Sequence, residues 1–185
     1  YKRQDATTYQ AMEALVHNLN TMNSRAGAQV PFSSLNYGTD TSPEGRMAVH
    51  NLLRATEAGL GDGETPIFPV QIFKVKEGVN YNEGDPNYDL FRHALRCSAK
   101  RLFPNFSFLD APFNLQYYKP GDYNTEVAYM GCRTRVMGNV FDNTKEVTCG
   151  RGNLSFTSIN LPRIGIEAKG DMKTSVSYTH LTLPT

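Results

Sequence analysis

The chain has 185 residues, of which 39% are apolar and 15 are glycine, a composition typical of a folded domain with a hydrophobic core. Its 19 basic and 18 acidic side chains leave a net charge of +1, which argues against nucleic acid or an anionic membrane as a partner. Three widely spaced cysteines without a Cys-x-x-Cys pair argue against a disulfide scaffold or a zinc knuckle. We expect a soluble, cytoplasmic protein.

Helical and extended patterns alternate through the first 110 residues. Apolar residues recur at the helical spacing over residues 7–25, and residues 28–37 are typical of a short strand. A second helix should begin with Ser42 as N-cap and Pro43 at the first position, and end at the glycine-rich residues 59–63. The next elements should be a buried strand, a helix and another strand, at residues 67–75, 87–102 and 105–109.

This order predicts an α/β fold in which helices wrap a parallel sheet, because parallel strands need crossover connections. Residues 111–151 break the pattern with many Tyr, Pro, Gly, Asn and Asp residues. Long loops in compact domains are usually functional. Strand character then returns at residues 154–161.

Cys132 lies near the middle of that loop, between Gly131 and Arg133. A free cysteine is often just a small buried hydrophobe. Here Gly131 permits close backbone approach, and Arg133 and Arg135 favour a thiolate or an anionic ligand, so a thiol presented to a site is an equal alternative. An ionic nucleophile needs a nearby base, whereas a radical thiol needs only shielding from water and a hydrogen donor.

Two further sets of residues bear on that choice. The histidines fall in predicted helices with no discernible relation to Cys132, at positions 17, 50 and 93. Cys97, on a helix, should pack in the core, and Cys149 is a possible dithiol partner of Cys132 if the loop folds back.

Several polar residues are candidates for substrate contacts, each with a structural alternative. Asn153 is either a turn residue or a carboxamide that binds a substrate hydroxyl. Asn160 should end a strand, where parallel sheets place ligand-binding groups, and Ser34 and Asn36 raise the same alternatives. Residues 59–63 lack the Lys-Ser/Thr of a P-loop and follow a helix, so they are a weak phosphate site.

The two ends of the chain have their own features. It begins at Tyr1 rather than methionine, with a helical pattern already under way, so we expect upstream residues to be missing. Residues 176–185 resemble the translation of a sequencing-library adapter. We expect them, including Tyr178 and His180, to be a non-native tail that packs poorly.

Four segments carry a family resemblance. They are Asn-Ser-Arg-Ala-Gly-Ala-Gln-Val-Pro-Phe-Ser-Ser-Leu-Asn at 23–36, Gly-Glu-Thr-Pro-Ile-Phe-Pro at 63–69, Met-Gly-Cys-Arg-Thr at 130–134 and Gly-Asn-Leu-Ser-Phe-Thr-Ser-Ile-Asn-Leu-Pro at 152–162. In this order they closely resemble the anaerobic (class III) ribonucleoside-triphosphate reductases. The resemblance covers residues 6–167.

The resemblance implies a ten-stranded α/β barrel of two five-stranded halves, entered by a finger loop with a radical cysteine at its tip. Cys132 matches that tip, and residues 1–175 would be a fragment of the barrel. In the family, a glycyl radical takes hydrogen from this cysteine. The resulting thiyl abstracts the 3′-hydrogen of the ribose and starts loss of the 2′-hydroxyl.

The resemblance also implies site residues and partners. Asn153 resembles the asparagine near the ribose hydroxyls, and Ser34, Asn36 and Asn160 are substrate-pocket residues by position. The implied partners are ribonucleoside triphosphates, allosteric nucleotides, a second copy of the chain and an iron–sulfur, S-adenosylmethionine-dependent activating enzyme. The glycyl-radical segment and the structural-zinc cysteines do not lie in this sequence, so we expect it to bind no cofactor or metal and to be inactive alone.

Two other functions stay open at this point. A glycyl-radical enzyme of the formate-lyase or dehydratase type would share the barrel and the loop cysteine. A non-catalytic α/β ligand-binding domain would instead bury Cys132 as a packing residue.

Overall fold

The computed structural model describes residues 2–132, 134–139, 142, 144, 150 and 158–177, together with the helical backbone of residues 178–182. The chain divides into two compact units, residues 1–150 and residues 151–185. Within the described residues, no helix is both long and apolar enough to cross a membrane.

The first unit is built on a parallel sheet of three strands that lie side by side in chain order. Two helices form the crossovers between them, as the alternating patterns predict. The prediction of an α/β fold with a parallel sheet is therefore confirmed. In chain order the elements are α1 (Lys2–Thr21), β1 (Ser34–Tyr37), α2 (Pro43–Ala58), β2 (Val70–Val75), α3 (Tyr88–Arg101) and β3 (Asn105–Phe108).

Helix α2 has the ends that its sequence predicts. The Ser42 side chain accepts a hydrogen bond from the Gly45 amide at 3.1 Å, and Pro43 occupies the first turn. At the other end Gly59 takes a positive φ of 87°. The Arg101 guanidinium donates to the carbonyls of Glu57 and Gly63 there, so this glycine-rich turn is occupied by a structural cap rather than arranged for phosphate.

The first strand is shorter than predicted. It covers only Ser34–Tyr37, because the chain first makes a tight turn in which Arg25 pairs with Gln29. Positive φ angles at Gly27 and Ala28 form this turn. The β-like composition of residues 28–33 therefore belongs to the approach to β1 and not to the strand.

One face of the sheet is apolar and covered by helices. Phe73 and Val75 of β2 pack with Leu53 of α2 and with Leu90, Ala94 and Cys97 of α3. The predicted packing role of Cys97 is confirmed, since its side chain is fully buried and burial raises the pKa of its thiol to about 11.

The opposite face of the sheet is polar apart from two buried apolar side chains of β2. Side chains alternate along a strand, so Ser34 and Asn36 of β1 share this face with Lys74 of β2. The register places Ser107 of β3 beside Lys74. This face lies opposite the one that α2 and α3 cover, and its polar side chains are suited to carry a site.

Residues 111–139 are more regular than the predicted long loop. They contain α4 (Pro112–Leu115), a 3₁₀ turn (Tyr123–Thr125) and an antiparallel hairpin of β4 (Ala128–Met130) and β5 (Thr134–Val136). The punctuating Pro, Gly and Asn residues mark the joints between these short elements.

The second unit corrects the predicted strand at residues 154–161. Residues 158–160 are not extended into a strand, and Leu161 begins α5 (Leu161–Glu167). The Asn160 side chain caps that helix by accepting from the Arg163 amide at 3.0 Å, and Pro162 lies in its first turn. Residues 154–157 lie outside the described part of the chain.

Helix α6 (Met172–Thr182) follows α5. Its backbone runs across residue 175, the proposed boundary of the non-native tail. The assignment of residues 176–185 to such a tail stays a prediction.

Candidate functional site

Cys132 lies in the turn that joins β4 to β5. The hairpin register pairs Tyr129 with Arg135 and Met130 with Thr134, so the described turn residues Gly131 and Cys132 follow the last paired residue of β4. Gly131 enters the turn with a φ of 66°, and the side chain of Cys132 is exposed. This exposure contradicts the alternative in which Cys132 is a buried packing residue.

The Asn36 carboxamide holds the strand that leads to this turn. Its Nδ2 donates to the Tyr129 carbonyl at 2.7 Å, and its Oδ1 accepts from the Tyr129 amide at 2.9 Å. One side chain of β1 thus satisfies both backbone groups of a β4 residue.

Ser34 makes a second contact of the same kind. The Gly131 amide donates to Ser34 Oγ at 3.2 Å, one residue before Cys132. Ser34 and Asn36 are two residues apart on β1, and their partners Gly131 and Tyr129 are two residues apart in the opposite order. The backbone of β4 therefore crosses the polar face antiparallel to β1.

Phe32 bounds the turn from the side of β1. A Cβ atom added to Gly131 would lie 3.2 Å from Cε1 of the Phe32 ring. The ring is 71% exposed and packs edge-on against Phe68, with centroids 5.1 Å apart. Sequence analysis did not single out Phe32, although positions 32, 34 and 36 continue the two-residue period of one strand face.

A buried ion pair holds the segment just before β4. Lys74 Nζ lies 2.8 Å from Glu126 Oε1, and the two side chains are only 13% and 11% exposed. Lys76 is a second, more distant cation, 3.8 Å from the other carboxylate oxygen of Glu126. Sequence analysis missed this contact, because Lys74 and Glu126 are 52 residues apart and neither belongs to a local motif.

A cleft of about 440 Å³ opens at the carboxyl end of the sheet. Its lining includes Asp40, Lys76 and Glu126, but not Cys132. Two carboxylates beside one lysine disfavour a triphosphate, so we place no substrate in this cleft.

His17, His50 and His93 lie where the sequence predicts, in α1, α2 and α3, and these helices cover the opposite face of the sheet from the hairpin. His93 contacts Glu57 at 3.2 Å and the ring of His50 at a centroid distance of 5.2 Å. Burial lowers the pKa of His50, and His93 lowers it further. These groups belong to the helix layer and do not provide a base for Cys132.

Other predicted site residues have different positions. Arg135 donates to Asn114 Oδ1 at 3.3 Å and lies over the Phe113 ring, so its charge is directed toward α4. Asn160 belongs to the second unit, as the cap of α5. Arg133, Cys149 and Asn153 lie outside the described residues.

The family model for anaerobic ribonucleoside-triphosphate reductase matches residues 2–181, almost the whole chain. The chain belongs to this reductase family. The match confirms the resemblance in the sequence motifs, and it favours a reductase over a formate-lyase, a dehydratase or a non-catalytic ligand-binding domain.

Individual reductases agree with this assignment. The chain is 37% identical over 167 residues to the anaerobic ribonucleoside-triphosphate reductase of Escherichia coli (strain K12), covering 90% of this chain and 22% of that protein. It is 36% identical over 170 residues to the Salmonella typhimurium enzyme, covering 91% and 23%. It is 37% identical over 161 residues to the enzyme of Enterobacteria phage T4, covering 86% and 26%. The chain thus spans about a quarter or less of the length of these reductases.

Proposed function

We propose that this chain is a segment of the catalytic chain of an anaerobic ribonucleoside-triphosphate reductase, in which Cys132 carries the radical that starts substrate reduction. The observation that supports this most directly is the position of Cys132: exposed, on a hairpin turn, over the polar face of a parallel sheet. In the proposal, that face is the interior of a ten-stranded barrel, and the hairpin is its finger loop.

The chemistry requires little of the residues around the thiol. Cys132 would give up its thiol hydrogen atom to the glycyl radical that the family places in another part of the reductase, which would leave the unpaired electron on sulfur. The sulfur then forms an S–H bond with the 3′-hydrogen of the ribose as the C3′–H bond breaks, which moves the unpaired electron to C3′. The 2′-hydroxyl would then take a proton and leave as water, while an external reductant supplies two electrons and solvent supplies two protons in all. The Cys132 S–H would finally return its hydrogen atom to C3′. Because hydrogen atoms and not protons move at sulfur, this step needs no base, which fits the location of His17, His50 and His93 on the helices of the opposite sheet face.

The remaining family assignments are part of the same proposal. Asn153 would hydrogen-bond a ribose hydroxyl, and Asn160 would line the substrate pocket. A substrate contact by Ser34 or Asn36 stays a prediction, with the Asn36 carboxamide already bonded to the Tyr129 backbone.

The proposed partners also follow the family. They are ribonucleoside triphosphates, allosteric nucleotides, a second copy of the chain and an iron–sulfur activating enzyme in the cytoplasm. Structural zinc and the glycyl radical belong to the complete reductase, so this segment alone should not reduce nucleotides.

The test is replacement of Cys132 in the intact reductase that contains this segment. Cys132→Ala should reduce deoxynucleotide formation to background, while electron paramagnetic resonance still detects the glycyl radical after activation. Cys97→Ala is the matched control and should keep its activity per folded molecule, because Cys97 is packed between helices. Deoxynucleotide formation by Cys132→Ala would refute the proposed radical role.

A further inference from the structure

We propose that Ser34 and Asn36 are positioning residues, which set the location of Cys132 by holding the backbone of the strand before it. This inference rests on the proposed radical function of Cys132. It assigns to two side chains of β1 a role in catalysis that does not require contact with the nucleotide.

The direction of the backbone groups in β4 supports this role. Within a strand, the N–H and C=O of one residue point to one side, and those of the second-next residue point to the same side. Tyr129 directs both groups and Gly131 directs its N–H toward β1, whereas Ala128 and Met130 pair with β5. Ser34 and Asn36 therefore bond the edge of the hairpin that β5 does not cover.

The two contacts together define the position of the turn. The Asn36 carboxamide is planar and makes one donor and one acceptor bond to Tyr129, which fixes β4 along its length. The Ser34 bond to Gly131 fixes the end of β4 next to the cysteine. Sliding the hairpin by one residue would break all three hydrogen bonds, so the sulfur has one register relative to the sheet.

Loss of either side chain should affect the radical step more than substrate binding. Hydrogen abstraction depends steeply on the distance between sulfur and C3′, and misplacement by about 1 Å can cost about a hundredfold in rate. The glycyl radical is proposed to form on a part of the reductase outside this chain, and its formation by the activating enzyme needs neither hydrogen bond. The expected signature is a lower kcat with an unchanged KM and a normal glycyl radical.

The experiment compares four variants of the intact, activated reductase. We expect kcat to fall about ten- to a hundredfold in Asn36→Ala and about tenfold in Ser34→Ala, with KM and radical yield unchanged. Ser34→Thr keeps the hydroxyl and should restore most of the activity. Ser33→Ala is the control, since the Ser33 hydroxyl donates only to the Pro31 carbonyl, at 3.4 Å.

Amide hydrogen exchange provides a second measurement on the same proteins. The Tyr129 and Gly131 amides should exchange at least tenfold faster in Asn36→Ala and Ser34→Ala, respectively. The amides of β2 should keep their protection, which separates release of the hairpin from general unfolding.

Each alternative result contradicts either the positioning role of Ser34 and Asn36 or the radical function of Cys132 on which that role rests. If Asn36→Ala and Ser34→Ala turn over like Ser33→Ala while Cys132→Ala is inactive, the positioning role is wrong and the radical role stands. A raised KM with unchanged kcat would make these residues substrate contacts and also overturn the inference. If Cys132→Ala itself remains active, the proposed function fails. If Asn36→Ala does not fold, the difference between Ser34→Ala and Ser34→Thr decides: equal activity of the two overturns the positioning role.

Discussion

At the scale of single residues, Gly131 is poorly suited to substitution. Its φ of 66° is in the left-handed region, and an added Cβ would lie 3.2 Å from the Phe32 ring. Backbone conformation and available space thus both require glycine directly before Cys132.

Gly131→Ala should therefore lower the free energy of unfolding by about 1–2 kcal/mol, from the left-handed backbone alone, and by more if the Phe32 ring cannot move. The matched control is Gly78→Ala, because Gly78 has a φ of 76° and open space around its Cβ position. Denaturant titration gives the free energy of unfolding of both variants, and the difference between them separates the cost of the backbone conformation from the cost of the contact with Phe32. An equal loss in the two would show that Phe32 does not constrain the turn.

The two cysteines and Asn36 show what sequence patterns can predict about single residues and what they cannot. The exposure of Cys132 and the burial of Cys97 agree with the loop and helix in which the sequence places them. The bonds made by Asn36 could not be predicted, because an asparagine on a strand face has the same local signature whether it binds a ligand or a neighbouring backbone.

At the scale of elements, the Cys132 hairpin is held to the sheet at two places. Ser34 and Asn36 hold β4, and the Lys74–Glu126 pair holds the segment that precedes it. Because both contacts join the hairpin to β1 and β2, the turn is tied to the most regular part of the fold.

Lys74→Met should be strongly destabilising, by about 3 kcal/mol, because it leaves the buried Glu126 carboxylate without its close partner. Lys76→Met should cost clearly less, since Lys76 Nζ is 3.8 Å from the carboxylate and its side chain is 26% exposed. Thermal or denaturant unfolding measures both. A larger loss in Lys76→Met would mean that the more distant lysine carries the interaction.

Helix starts show why one element was predicted and another missed. Ser42 followed by Pro43 predicts the start of α2 correctly. Asn160-Leu161-Pro162 is the same kind of signal and starts α5, but the alternating apolar residues before it favoured a strand. A capping residue with a proline in the first turn is therefore better evidence for a helix here than a short alternating run is for a strand.

At the scale of the whole molecule, the sheet separates two chemically different sides. Helices bury one face, with Cys97 among them, and the other face carries the hairpin with Cys132. The two thiols should therefore differ greatly in reactivity.

Under native conditions at pH 8, iodoacetamide should modify Cys132 at least a hundredfold faster than Cys97, because burial raises the pKa of the Cys97 thiol to about 11 and blocks access. Mass spectrometry of the digested chain measures the extent of modification at Cys132 and at Cys97 separately. Cys97 should react quickly only when denaturant unfolds the domain. Native modification of Cys97 at the rate of Cys132 would contradict the described core.

The raised pKa of the Cys97 thiol also makes the stability of the fold depend on pH. A pKa raised from 9.0 to about 11 means that the folded state keeps the Cys97 proton where the unfolded state loses it. This contribution to stability is present below pH 9 and declines as the pH rises toward 11. A Cys97→Ala variant should lack this decline.

The sequence by itself determined the family, the order of helices and strands as far as β3, the caps of α2 and the loop that carries Cys132. These features depend on residues close together in the chain, or on sequence motifs that can be recognised without knowledge of the fold. Only the tertiary structure decided that β1 side chains hold the Cys132 hairpin, across 93 and 97 residues of chain, and that Glu126 pairs with Lys74. Such contacts form because the sheet brings distant backbone and charges together, and no local pattern encodes that distance.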